Sequence, residues 1–505
     1  MSLLKKLAGQ TVLYGLSTIV GRSVNFLLVF IHTAVFLDYE FGGMTAFYAY
    51  VAFFNILYTY GMETAFFRYA KPENRQEIYN LIQSYLIVST VIFSVILIFF
   101  SPSLAEYVGY PDRQEYVVWL VAIIAIDTLV AIPFARLRLE EKARRFALVK
   151  IINILLNVFL NVFFLVFCHQ IVEGNWLPAL KPIVSTFYFP SMGIGYVFLA
   201  NLIANALTFV QLYDLFLKFK FRLHWVQFRP ILWYAFPLLI MGIAGTVNAQ
   251  IDKIMLDNLL PDDFYSGKTA RAAMGIYAAC FKLSVFMNLV IQAFRYAAEP
   301  FFFAQSNDKR APELFARVMH YFILVCVLLW LVLCFNLDLL KIIFLRNPVY
   351  YEGILVVPIL LLANLLLGIY YNLTVWFKLS DRTYFGTYIS LLGALITLLG
   401  NFILIPVLGY MGAAWTMLFA YTVMACVCYA YGQRYFPIPY RLKAAGLHLG
   451  LATVLVWVSL QWREQGLLIS TLLNLGLLGL YGAFLAYTEK NQVLALIKKF
   501  RTKPT

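Results

Sequence analysis

LIQSYLIVSTVIFSVILIFF, residues 81–100, is an apolar run without a single charged residue. A bilayer core of about 30 Å needs roughly 20 such residues in a helix. In lipid every backbone polar group must be satisfied within the chain, so a run of this length is a spanning helix. A short polar loop, SPSLAEYVGYPDRQE at 101–115, separates it from a second run at 116–138, and that run exits into RLRLEEKARRF at 136–146. Apolar run, neutral loop, apolar run, basic loop is the unit that repeats along the chain.

Fourteen spans follow from this reading: 11–36, 44–67, 80–101, 116–138, 146–167, 192–217, 231–258, 274–304, 315–337, 351–377, 384–405, 411–432, 443–460 and 466–487. The composition agrees, at 62% hydrophobic and 13% charged, where a soluble chain carries about 25% charged residues. The N-terminal MSLLKKLAGQ leads into a long apolar run without a clear cleavage site, so it reads as a first span and not as a removed signal. Cys168, Cys280, Cys326, Cys334, Cys426 and Cys428 lie in or beside spans without metal or redox spacing, and read as packing residues. No cofactor is expected.

A net charge of +14 raises the question of nucleic acid. The positions answer it. Roughly 28 Lys and Arg fall in one alternate set of loops and tails and roughly 7 in the other. That is the positive-inside pattern, and it puts both termini in the cytoplasm. Tyr39, Tyr107, Trp176, Tyr350 and Trp462 sit near span ends, where interfacial aromatics belong.

The chain also repeats itself. MGIGYVFLANLIANALTF from Met192 and MGAAWTMLFAYTVMACVC from Met411 open the sixth and twelfth spans alike, and each follows a span entered from a basic loop. GRSVNFLLVF at Gly21 and AGTVNAQIDK at Ala244 place Asn25 and Asn248 at similar points of the first and seventh spans. Residues 168–190 are an insertion in the first half only. Six spans per half preserve orientation, so the repeats are parallel, and repeat interfaces are where transporters hold substrate. The expected fold is all-α: an N-lobe at 1–217, a C-lobe at 218–432, and two added helices with a tail at 433–505.

FLDYEFGGMTAF at 36–47, YGMETAFFRYA at 60–70, NAQIDKIMLDNLL at 248–260, MGIYAACFKLS at 274–284 and NFILIPVLGYMGAAWTMLFAYTV at 401–423 carry a family likeness. With the fourteen-span layout, the chain resembles the Wzx-type oligosaccharide flippases of the multidrug/oligosaccharidyl-lipid/polysaccharide exporter superfamily. The resemblance implies two six-helix lobes around a cavity, working by alternating access. It implies a polyprenyl-pyrophosphate-linked oligosaccharide turned from the inner to the outer leaflet of a bacterial cytoplasmic membrane, for polysaccharide or lipopolysaccharide synthesis. The implied partners are that lipid-linked glycan, membrane lipids, a coupling cation or proton, and polysaccharide assembly proteins around a monomer.

Ionisable residues inside a membrane are costly and mark functional positions. Arg22 sits near mid-depth of the first span on a face with Gly15, Thr18 and Asn25. A guanidinium suits a pyrophosphate because it offers forked donors and stays charged; a structural pair with a buried carboxylate is the other reading. Asn248 and Asp252 lie on the seventh span, where Asp252 either faces the cavity or pairs with Lys253 or Lys282. Lys282, eight residues into the eighth span, is the third cavity candidate of the C-lobe. Arg295 and Glu299 stand i, i+4 on that helix. Glu63 and Arg68 stand at the inner end of the second span, five apart and poorly placed to pair with each other. These four read as gate or interface elements. Asp127, mid-depth in the fourth span, either neutralises Arg22 or takes up a proton. Pro133, Pro237, Pro300, Pro358 and Pro406 favour kinks.

An ion-coupled drug or metabolite exporter of the same superfamily is the nearest alternative, and it predicts an acidic or neutral aromatic cavity. A membrane enzyme acting on lipid-linked glycans needs a catalytic outer loop. The longest, 168–190, holds only His169, Glu173 and Lys181 without an acid–base or metal arrangement, so the chain reads as no enzyme.

Overall fold

The computed structural model describes residues 21, 24, 26–305, 310–380 and 382–489, without the side chains of 297, 299, 300, 303, 304 and 464. Arg22 and Asn25 lie outside the described residues, and so does the side chain of Glu299.

In chain order the helices are α1 (Phe26–Val35), α2 (Asp38–Thr59), α3 (Met62–Tyr69), α4 (Arg75–Phe99), α5 (Ser101–Tyr107), α6 (Gln114–Leu139) and α7 (Ala143–Val162). Short α8 (His169–Val172) and α9 (Lys181–Val184) lie in the insertion, followed by α10 (Gly195–Gln211) and α11 (Tyr213–Leu217). The second half holds α12 (Trp225–Leu259), α13 (Ala270–Leu283), α14 (Val285–Gln305), α15 (Ala311–Phe335), α16 (Leu337–Phe344), α17 (Val356–Leu373), α18 (Val375–Leu379), α19 (Tyr384–Leu408), α20 (Tyr410–Tyr435), α21 (Leu442–Gln461) and α22 (Leu467–Thr488). No strand occurs among the described residues.

The all-helical membrane architecture is as expected; the count of fourteen is not confirmed among the described residues. Among the described residues, 11 helices are long and apolar enough to cross a membrane. The pair α13 and α14, bent by 43° at Ser284, makes a twelfth. The expected sixth span corresponds to the shorter apolar helix α10; of the expected first span, 11–36, most of residues 11–25 lie outside the described residues and α1 is the described part.

Large apolar side chains such as Val95, Phe99, Phe402, Ile403 and Val407 point outward and are more than half exposed. A soluble protein rarely tolerates apolar surface on this scale; a lipid-facing helix requires it. The bundle is therefore held by specific packing and polar contacts and not by a hydrophobic drive between helices.

The helices fall into two compact units. The first, Met1–Asp308 with Phe344–Pro437, contains most of the bundle. Its core includes Met62, Phe66, Tyr79, Ile82, Ile132 and Phe228, which join α3, α4, α6 and α12. Tyr85 of α4 stacks on Phe228 at 3.7 Å. Within the first unit, α12 runs unbroken through Pro230 and Pro237. The helix pair α2 and α3 is interrupted at Gly61, whose φ of +76° needs a residue without a Cβ.

The second unit, Lys309–Ile343 with Ile438–Thr505, groups α15 with α21 and α22. Its buried polar contacts include His320 Nε2 to Glu489 Oε1 at 2.7 Å and His448 Nδ1 to Tyr481 Oη at 3.1 Å. At one end Asp338 takes Arg463 Nη2 at 2.9 Å and Lys341 Nζ at 2.5 Å. Burial alone would raise the Asp338 carboxyl; the hydrogen bonds from Arg463 and Lys341 outweigh it and hold the carboxyl below its ordinary range.

Candidate functional site: a divided cavity between two bridged ends

Two neighbouring chambers of about 450 and 470 Å³ open inside the first unit. Val29, Gln250, Phe281, Lys282 and Val285 line both, so these residues form the partition. The larger chamber lies towards α1, α2, α7 and α10, with His32, Thr45, Tyr48, Asn157, Asn161 and Asn201 on its wall. The smaller lies towards α14, α17 and α20, with Asn288, Asn364, Tyr371 and Tyr421. No carboxylate lines either chamber among the described residues.

The partition exists because a helix breaks there. Lys282 occupies the last turn of α13, one residue before Leu283 ends the helix and two before the bend at Ser284. Interrupted membrane helices are tolerated where their ends face a cavity. More than a third of the Lys282 side chain is open to the chambers. Among the described residues its ammonium has no hydrogen bond or ion pair.

Lys253, on the wall of the larger chamber, is held differently. Its Nζ lies 3.0 Å from Asp252 Oδ1, 3.2 Å from the Ala249 carbonyl, and 4.0 Å from the centre of the Phe281 ring. Asp252 also accepts from Tyr277 Oη at 2.7 Å. Asp252 and Lys253 are both almost fully buried, so one carboxylate neutralises one of the two lysines. The other, Lys282, feels Lys253 as a like charge.

Asn248 is placed away from the chambers. It donates to the Ser390 carbonyl at 3.2 Å and accepts from Thr397 Oγ1 at 3.0 Å, while Tyr421 Oη donates to its backbone carbonyl at 3.1 Å. These bonds tie α12 to α19 and α20. Asp127 of α6 accepts from Asn205 Nδ2 at 3.0 Å and faces Lys150 electrostatically. Asn205 in turn accepts from Asn153 Nδ2 at 3.0 Å.

The gap between the first-half and second-half helices is bridged at both ends. At one end Arg271 of α13 holds Asp257 of α12 through two bonds of 3.0 and 2.8 Å and donates to the Val108 carbonyl beyond α5. Lys268 reaches Asp38 at 3.2 Å, Tyr107 Oη donates to Asn258 at 3.1 Å, and Tyr350 Oη to the Phe36 carbonyl at 2.7 Å. Gly275 lets α13 cross α2 so closely that any Cβ there would strike the Asp38 carbonyl. At the other end Arg68 of α3 lies 4.7 Å from the Tyr234 ring of α12, and Tyr69 Oη donates to the Pro230 carbonyl at 3.3 Å. Glu63 pairs with Arg138 of α6. Arg295 lies 4.2 Å from the Tyr371 ring, beside the smaller chamber. At 1.5 Å per residue along α12, Gln250 is about 10 Å from the Asp257 end and about 22 Å from Ala235 at the other.

Sequence reading found the charges and passed over the amides. Asn153, Asn157 and Asn161 recur every fourth residue along α7, and Asn201 and Asn205 do so along α10. A polar stripe at helical spacing inside an apolar span is the signal that finds them. His32 of α1 bonds to Asn161 Oδ1 at 3.0 Å and also lines the larger chamber.

A family model described as "Polysaccharide biosynthesis protein" matches residues 7–306, more than half of the chain. The chain belongs to this family. Among solved structures, the chain is similar to the lipid II flippase MurJ in an inward closed conformation. The TM-score is 0.70 at 13% identity, covering 95% of this chain and 100% of that one. It is also similar to a multidrug resistance MATE transporter of the MOP superfamily in its inward-facing form. There the TM-score is 0.62 at 12% identity, covering 82% and 94%. The outward-facing form of such a transporter matches with a TM-score of 0.57 at 15% identity, covering 85% and 95%. No curated protein sequence matches it. Identities this low speak for the fold alone; with the family match, the chain is a membrane transporter or flippase of the MOP superfamily and not an enzyme.

Proposed function

We propose that this protein flips a polyprenyl-pyrophosphate-linked oligosaccharide from the cytoplasmic to the outer leaflet of a bacterial cytoplasmic membrane. The observation that carries the proposal is Lys282: an ammonium without a protein partner among the described residues, at the junction of two chambers that contain amides and no carboxylate. An unpaired ammonium inside a membrane protein calls for an anion, and the diphosphate of the carrier supplies one. Side-chain amides both donate and accept, which suits sugar hydroxyls. Asn364 Nδ2, buried on the wall of the smaller chamber, has no partner among the described residues and offers a free donor. Chambers of this size match small-molecule sites of about 300–1,000 Å³ and suit a head group with its first sugars, not a polymer. An exporter of cationic drugs would want a carboxylate on this wall.

On this reading residues 1–217 and 218–432 act as two lobes, with 433–505 added. Access alternates as the Arg271–Asp257–Val108 bridge and the Arg68–Tyr234 contact open in turn. Glu63, Arg68, Arg295 and Glu299 belong to the gating contacts. Asp127, within its Asn205 and Lys150 surroundings, is the group for a coupling proton or cation. Arg22 and Asn25 are assigned to the substrate on sequence grounds, while Asn248 and Asp252 hold the wall that substrate meets. Both termini are cytoplasmic, and polysaccharide assembly proteins are partners.

The proposal is tested by binding of a fluorescent polyprenyl-pyrophosphate-linked oligosaccharide to the full chain in lipid nanodiscs. Removing a hydrogen bond to a charged group costs about 1.5–3 kcal/mol, so Lys282→Ala is expected to weaken binding by about 10- to 150-fold. Lys282→Arg keeps most of it. Unchanged affinity in Lys282→Ala would contradict the assignment.

A further inference from the structure

A third cavity, about 220 Å³, lies on the far side of α2 from the chambers, among α2, α4, α5 and α6. Helix α2 presents Phe41, Met44, Thr45 and Tyr48 to the larger chamber and Phe47, Tyr50, Val51 and Phe54 to this cavity. These sets follow helical spacing on two separate faces. The remaining wall is equally apolar, with Leu97 and Leu104 at the rim and Leu120 and Val121 at the floor. Beside the rim, Ile96 and Phe99 of α4 and the following Phe100 turn outward, so the cavity continues a lipid-facing surface.

Hydrocarbon is the ligand such a wall accepts, because a polar guest would find no hydrogen-bond partner there beyond the tyrosine hydroxyls. The roof belongs to the bridged end already described. Val108 lines the cavity and its carbonyl accepts from Arg271, while Tyr107 lines it and donates to Asn258. We propose that this cavity is a binding site for one acyl chain of a membrane phospholipid, seated beneath the first-half side of that bridge. The occupant is a bulk phospholipid and not the carrier's isoprenoid tail, because α2 stands between the cavity and the chamber that would hold the carrier's head group.

The test uses the full chain in nanodiscs containing a phosphatidylcholine with a diazirine at the end of one acyl chain. After irradiation, adducts are mapped by mass spectrometry. Adducts are expected on residues 47–54 and 117–124, and on lipid-facing Phe402 and Ile403 as a surface reference. Val121→Trp fills the floor, and Leu97→Trp fills the rim with less burden on folding. Both are expected to lower the cavity adducts several-fold and leave the reference unchanged. If Val121→Trp does not fold, Leu97→Trp decides alone. Cavity labelling that persists in the folded variants would mean surface lipid only and would overturn the proposal. So would displacement of the phospholipid adducts by a diazirine-bearing polyprenyl phosphate.

Discussion

Three side chains set the electrostatics of the cavity. Asp252 and Lys253 cancel within 3.0 Å of each other, and Lys282 is left with its charge facing the chambers. A buried pair contributes little by existing, but removing one partner strands the other and costs about 3–5 kcal/mol. Asp252→Asn is therefore expected to destabilise the folded protein by that order in detergent unfolding. Asp252→Asn combined with Lys253→Met should recover much of the loss, because no unpaired charge remains. A double variant as unstable as the single one would refute the pair. At this scale the sequence exposed the buried charges of α12 and α13 and left the partner of Asp252 open between Lys253 and Lys282. Asp252, Lys253 and Lys282 are visible as breaks in apolar runs. The carboxylate takes Lys253, its neighbour on α12, a choice of side-chain placement that hydropathy does not register. The amides of α7 and α10 went unread because they carry no charge and sit in otherwise convincing spans.

The elements that matter most are the interrupted ones. Continuous hydropathy across Ser284 hides the break that ends α13, while Pro237, which promised a kink, lies with Pro230 inside an unbroken α12. Proline removes one backbone bond, and a long helix packed along its length tolerates that loss. At the Asp257 end, Arg271 makes the bridge between halves. Arg271→Ala should unlatch it. In a Cys426→Ser background, which removes the exposed cysteine, Ala249→Cys in the smaller chamber reports the opening. A membrane-impermeant thiol reagent added on the Arg271 side should label it several-fold faster in the Arg271→Ala variant, and an unchanged rate would exclude this latch. In the second unit, Asp338 gives a pH signature. Its carboxyl is held below its ordinary value, so its stabilising contribution is fully present above the unfolded value of about 3.9. It is lost as pH falls through the lowered value. The melting-temperature gap between the wild type and Asp338→Asn should be constant above about pH 5 and close below about pH 4. A gap that widens on acidification would reverse the sign.

For the whole molecule, alternation of apolar runs and basic loops made the class of protein legible before any contact was known. The span count was less secure, because α10 is a short helix and α13 with α14 is a bent pair. Spatial grouping was less legible still, since nothing in sequence order unites α15 with α21 and α22. The cavity between bridged ends fits the proposed transport cycle, in which a charged, sugar-bearing head group is enclosed before its release on the other side. The measurement that bears on this most directly is transport in proteoliposomes. A fluorescent polyprenyl-pyrophosphate-linked oligosaccharide is placed in one leaflet, and its accessibility to a membrane-impermeant quencher is followed with time. The account predicts transfer between leaflets with the wild-type protein and strongly reduced transfer with Lys282→Ala at equal folded protein. Folded wild-type protein that leaves the accessible fraction unchanged, over times when a lipid-only vesicle is also unchanged, would contradict it.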